Sequence, residues 1–215
     1  MRSKTRPPGL KPSSFIEEAR KKQIIDATIA AVAETGYAGA SLAKLAARAK
    51  ISKSIISYHF VGKDALLEQT VHQIYQEIWN AVRPRLLAET TAAGQLQAYI
   101  EAEFAYLEIN RAQLLTLSYI LMNHRDRHGR LYLHDAAEKE NLATLGRMLE
   151  EGQKSGEFRT FAVLPMAATL MHSINGALGQ WAADPKLSLA NYARELVTIF
   201  DLATRKQPGS RKPSR

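Results

Sequence analysis

Residues 41–67 read SLAKLAARAKISKSIISYHFVGKDALL. Ser41 suits a helix N-cap, and Leu42, Leu45, Ala46 and Ala49 then fall at i, i+3, i+4 and i+7, the spacing of one apolar helix face. Ser52 is a second N-cap, for a short helix over residues 53–59 that buries Ile56 and Phe60. Only a few residues separate the two helices, which is the layout of a helix-turn-helix. With Ile56 and Phe60 inward, Lys53, Ser54, Ile55, Ser57 and Tyr58 face outward, a mixture of donors, hydroxyls and an apolar group suited to base edges and thymine methyls. His59 and Lys63 follow where a phosphate could be gripped.

Outward from this stretch the chain reads as all-α, about nine helices with no sustained period-two alternation and no hairpin signal. Helix 1 spans about 15–35, with Ile24, Ile25, Thr28, Ala31 and Val32 forming its apolar stripe and Gly36 its stop. A long helix starts near Lys63, with Leu67, Val71, Ile74, Ile78 and Val82 on one face; Pro84 is expected to kink or end it. Further helices are expected at about 94–109, 111–122, 128–153, 165–182 and 188–204. This predicts an N-terminal three-helix helix-turn-helix domain at 15–62 and a C-terminal helical domain at 63–204. Flexible basic tails are expected at 1–14 and 205–215, which hold too little apolar surface to order themselves.

The 215 residues carry a formal charge of +8, unevenly placed. Residues 1–63 hold twelve Lys or Arg against four acidic residues, +8; residues 64–204 hold twelve against seventeen, −5; and the last eleven residues add five positive charges. An electropositive head on an acidic body suits a polyanion, because bound Lys and Arg release the counterions condensed on phosphates. With no cysteine, disulfides, thiol catalysis and Cys-ligated zinc are excluded, which fits a reducing cytoplasmic setting. There is no signal-peptide run and no apolar stretch of membrane-spanning length, so no membrane partner is expected.

The same residues resemble the DNA-binding signature of TetR-family regulators. Leu45-Ala46, Ile51-Ser52, Tyr58-His59-Phe60, Lys63 and Leu66 fall in register, after a helix ending in Gly36-Tyr37. EEGQKSGEFR at 150–159 and GALGQWAADP at 176–185 resemble later helices of the family. By position the resemblance implies base-facing roles for Ala43, Lys53, Ser54, Ile55 and Ser57, and backbone contacts from Ser41, Tyr58, His59 and Lys63. Ser41 also reads as a helix cap alone. Lys50 stands where a turn glycine is usual, Ser54 where glycine is common and Ser57 where tyrosine is common, so the base preference of a relative does not carry over.

The resemblance further implies a homodimer formed by helices 8 and 9, a pseudo-palindromic operator in double-stranded DNA, and repression relieved by a small-molecule effector of unknown identity, with no cofactor. Helices 8 and 9 carry broad apolar stripes, and Leu170, Ile174, Leu178, Trp181, Tyr192, Leu196, Ile199 and Phe200 are expected at the dimer interface. Two heads held by such a bundle would reach major grooves roughly 34–36 Å apart. Candidate pocket residues are Phe104, Tyr106, Tyr119, Met122, Met171, His172 and Asn175, the last two one helical turn apart and polar among apolar neighbours.

An enzyme is not expected, because no phosphate loop, GxSxG elbow or paired-carboxylate motif is present. His124, Asp126, His128 and His134 are metal-capable but lack the HExxH pattern, and read better as a charged loop. The rival reading is a helical ligand carrier or interaction protein whose basic head binds an acidic partner or a membrane surface.

Overall fold

The structure is a computed structural model that describes residues 15–125, 128–129 and 136–206, with the backbone alone at 136–138. Among the described residues the regular elements are nine α-helices: α1 (Phe15–Gly39), α2 (Leu42–Arg48), α3 (Lys53–His59), α4 (Gly62–Ala88), α5 (Ala92–Ile109), α6 (Arg111–Asn123), α7 (Ala136–Lys154), α8 (Val163–Ala183) and α9 (Leu189–Thr204). The expected 1–14 tail, and the C-terminal tail from residue 207 onward, lie outside the described residues.

Local chemistry sets the boundaries. Ser41 Oγ accepts from Lys44 N, Ser52 Oγ from Ile55 N, Thr91 Oγ1 from Gly94 N and Ser188 Oγ from Asn191 N, each supplying a helix N-terminus with one of the acceptors it lacks. Gly36 takes φ +70° and interrupts α1, the stop its sequence position implies. Pro84 does not end α4, which runs one further turn to Ala88. Near a C-terminus the missing N–H forfeits one backbone bond in a turn that water can solvate, so the interruption is tolerated. Nor does α7 begin at 128: His128 and Gly129 form a turn, with Gly129 at φ +75°, and the described helix starts at Ala136.

The α2–α3 turn is a Schellman closure. Ile51 N donates to Ala46 O (3.0 Å) and Lys50 N to Ala47 O (3.1 Å), which requires a left-handed residue at position 50, and Lys50 supplies it at φ +55°. A lysine there strains its Cβ against the following carbonyl, so Lys50→Gly is expected to stabilise the chain by about 0.5–1 kcal/mol. A rise of a few degrees in thermal midpoint would show it, and an unchanged or lower midpoint would deny the strain.

The helices are layered around α5, against which α4, α7 and α9 pack, while α1 lies along α6. One continuous apolar core runs from Ile24, Ile56 and Leu67 near the N-terminal helices to Leu149, Leu170 and Phe200. The N-terminal helices are therefore seated on the rest of the chain. Thr116 Oγ1 of α6 donates to Ile29 O of α1 (2.9 Å), and Lys22 of α1 faces Glu77 of α4 across 3.6 Å.

At the far end of α4 and α5 three segments are tied together. Phe158 N donates to Gly152 O (2.9 Å), Arg159 N to Thr204 O (2.9 Å) and Lys206 N to Glu157 O (3.3 Å). The Glu157 carboxylate accepts from Ala92 N and Ala93 N at the start of α5, and these bonds hold its pKa below the usual carboxylate value. Gly152 is required here, because a Cβ would lie 2.2 Å from the Phe158 ring.

Candidate nucleic-acid interface and effector cleft

The second helix of the pair, α3, stands on a single buried side chain, Ile56, with Phe60 buried at its C-cap. Lys53, Ser54, Ser57 and Tyr58 are exposed, Tyr58 by 76%. Ser54 Oγ is paired with Ser52 Oγ at 2.7 Å. Ile55 departs from its expected outward position: it is half-buried and packs against the core, because it lies only about 100° around the helix from the buried Ile56. On α2, Ala43 is exposed, and Ser41 is exposed while its hydroxyl caps the helix. His59 is half-buried, edge-on to Tyr58 with ring centroids 5.0 Å apart.

Lys63 is half-buried at the start of α4. Its ammonium donates to Tyr37 O (3.2 Å) and sits 4.7 Å from the Tyr37 ring centroid. Burial lowers its pKa, partly opposed by Asp64. Around this face stand Lys44, Lys50 and Lys53, all exposed, with Arg48 paired to Glu34. Lys22 is turned toward acidic partners, Asp26 at 3.1 Å and Glu77 at 3.6 Å, and so clasps α1 to α4.

Within the body, a cleft of about 230 Å³ lies between α6 and α8. Leu114, Leu117, Leu121, Met122 and Leu178 give it apolar walls, while Ser118, His172 and Asn175 supply polar atoms. Of the seven pocket residues read from sequence, Met122, His172 and Asn175 meet here. The other four stand elsewhere. Phe104 and Met171 are buried in the core, Tyr119 is exposed, and the Tyr106 hydroxyl bonds Gln113 (2.9 Å) and Glu77 (3.4 Å). The α6 leucines that wall the cleft look in sequence like any core stripe and gave no separate signal.

Six of the eight residues read as a dimer seam, Leu170, Ile174, Leu178, Trp181, Leu196 and Phe200, are buried within the single chain. Tyr192 is half-buried and bonds Gln180, and Ile199 is 52% exposed. Helical periodicity identifies an apolar face, not what covers it, and here α5 and α7 cover most of it. The large apolar side chains left outside on these helices are Leu164, Ile199 and Leu202, where Arg159 ties the approach to α8 against the end of α9.

Two polar groups that read as surface in the sequence are buried. Glu103 of α5 is 7% exposed, hydrogen-bonded to the Tyr99 hydroxyl, with Oε2 unpartnered. Burial raises its carboxyl to about 7. His124, read as part of a charged loop, is 1% exposed, with Nδ1 3.0 Å from the Tyr37 hydroxyl and Nε2 3.5 Å from Glu68 Oε1. Asp126 and His134 lie outside the described residues.

Two short capped helices with a tight turn, seated on a helical body, define a helix-turn-helix protein. Residues 24–70 match the family described as bacterial regulatory proteins, tetR family. It is 40% identical over 94 residues to the HTH-type transcriptional regulator BetI of Paraburkholderia phytofirmans, a match covering 43% of this chain and 48% of that one. The chain thus spans about half the length of the curated relatives it matches. Its fold is like that of the transcriptional regulator FadR from Bacillus subtilis in complex with stearoyl-CoA, at 21% identity and TM-score 0.74, covering 83% of this chain and 96% of that one. A putative transcriptional regulator from Pseudomonas aeruginosa PAO1 is 25% identical, with TM-score 0.71 over 90% of this chain and 92% of that one. No helix among the described residues is long and apolar enough to cross a membrane.

Proposed function

We propose that the chain is a sequence-specific DNA-binding transcriptional regulator, acting as a homodimer on a pseudo-palindromic operator and released from it by a small-molecule effector. One observation carries the DNA-binding reading: α3 presents Lys53, Ser57 and Tyr58 to solvent at the electropositive end of the molecule, standing on Ile56. Bases would be read by Lys53, Ser57 and the exposed edge of Ser54, with Ser41, Tyr58, His59 and Lys63 serving phosphates. Short hydroxyls at 54 and 57 give this head its own sequence preference.

The α6–α8 cleft is the effector site this reading favours. Its size and lining fit a small apolar molecule bearing one hydrogen-bonding group, for which His172, Asn175 and Ser118 are the polar partners. The bound stearoyl-CoA of the FadR structure supports a ligand-binding role for a body of this shape. Such a molecule releases DNA only if it binds the DNA-free arrangement more tightly. The exposed Leu164, Ile199 and Leu202 would extend the dimer seam. Repression is the simplest regulatory outcome, with the head occluding promoter DNA.

The test is selection of a duplex from random DNA, followed by gel shift across a salt series. Lys53→Ala and Tyr58→Ala are each expected to weaken binding to the selected duplex about tenfold, and Lys63→Met to flatten the salt dependence by about one counterion. Enrichment of no sequence, with equal binding to competitor DNA at every salt concentration, would sink the regulator reading in favour of a carrier or interaction protein.

A further inference from the structure

Tyr37 occupies an unusual position. It follows Gly36, whose positive φ breaks α1, and its side chain and carbonyl serve two different parts of the molecule. The carbonyl and the ring face together hold the ammonium of Lys63. The hydroxyl reaches His124 Nδ1, 3.0 Å away and 87 residues distant in sequence. His124 sits at the C-cap of α6, where its N donates to Ile120 O (2.7 Å), two residues beyond Met122 of the cleft. Its other ring nitrogen faces Glu68 of α4. A carboxylate only accepts, so a proton on Nε2 leaves Nδ1 as an acceptor for the Tyr37 hydroxyl. Burial raises the pKa of that hydroxyl, with a smaller contribution from Asp64, which keeps it protonated and able to donate.

We propose that Tyr37 and His124 form a latch through which the end of α6 positions the Lys63 ammonium for a DNA phosphate. Both are positioning residues. His124 fixes the hydroxyl, the hydroxyl fixes the ring, and the ring with its carbonyl fixes the lysine. Lysine is a flexible point charge that contacts phosphate with less loss of freedom when its stem is already held. The spare hydrogens of the ammonium remain for the phosphate, since one is used by Tyr37 O. The proposal rests on the reading of Lys63 as a phosphate contact.

A double-mutant cycle on the selected duplex tests it, comparing Tyr37→Phe in wild type and in a Lys63→Met background. Tyr37→Phe keeps the ring and the carbonyl and deletes only the latch. It is expected to weaken DNA binding roughly 3- to 10-fold in wild type and to change nothing in the Lys63→Met background. An equal loss in both backgrounds means that the hydroxyl acts on stability alone, and the latch is wrong; no loss in wild type overturns it equally. If Lys63→Met itself leaves both affinity and salt slope unchanged, the latch fails through its premise, while the base-reading roles of α3 stand. Should Tyr37→Phe fold poorly because Nδ1 is left buried without its donor, Tyr37→Phe/His124→Leu removes both polar partners at once. In that variant the same dependence on Lys63 is expected, and a loss independent of Lys63 refutes the latch.

Discussion

Glu103→Gln should be more stable than wild type at pH 8 and nearly equal to it at pH 5. Burial lifts the folded-state pKa of Glu103 from 4.5 to about 7, so the folded chain prefers the protonated acid more strongly than the unfolded chain does. That preference stabilises the fold fully below about pH 4.5 and is lost as the pH rises through 7. The difference corresponds to about 3 kcal/mol. Glutamine has the same shape and no charge, and its carbonyl can accept the Tyr99 hydroxyl. Urea midpoints of both proteins from pH 5 to 8.5 should therefore diverge with rising pH, the variant above. A gap that stays constant, or its absence at pH 8, would mean that the ionised carboxylate finds water or a partner.

Ile56→Ala is expected to cost about 3 kcal/mol and to abolish operator binding without removing any atom proposed to touch DNA. Ile56 is 1% exposed and is the one buried residue of α3. A helix of seven residues has no stability of its own, so its persistence depends on this anchor and on Phe60 beside it. With the anchor gone, Lys53, Ser57 and Tyr58 remain in the chain but no longer share a face. Ile56→Val, which removes one methylene, should cost about 1 kcal/mol and keep most of the binding. Ile56→Ala protein that binds the selected duplex as wild type does would show that α3 is held by other contacts.

The head was the legible part of this sequence. Ser41 and Ser52 mark two N-caps, Gly36 marks a stop, and the apolar spacing from Leu42 to Ala49 and at Ile56 and Phe60 lies within single helices, where local rules suffice. Partners across the fold were not legible. Nothing in the 28–32 stripe says that it rests on α6, and nothing in α8 says that Leu170, Ile174 and Trp181 face the chain's own core rather than a second subunit. Glu103 and His124 were hidden for a related reason. A charged or polar residue within an amphipathic helix or beside a charged loop looks like surface until neighbouring helices close over it. Phe104 and Tyr106 illustrate the converse, since aromatic residues expected to meet a ligand are occupied in packing and in a hydrogen-bond cluster.

The tie joining Gly152, Phe158, Thr204 and Lys206 has a consequence for how the molecule meets a polyelectrolyte. It lies beyond the end of α4, a 27-residue helix that starts beside α3 and spans roughly 40 Å at its ordinary rise. The positive residues Arg205 and Lys206 therefore leave the fold several Debye lengths from Lys53 and Tyr58, with the acidic helices between them. Arg205, paired with Asp201 at 3.6 Å, and Lys206 are therefore electrostatically independent of Lys53. A duplex held at α3 would be screened from Arg205 and Lys206, so these two charges would add little to its affinity.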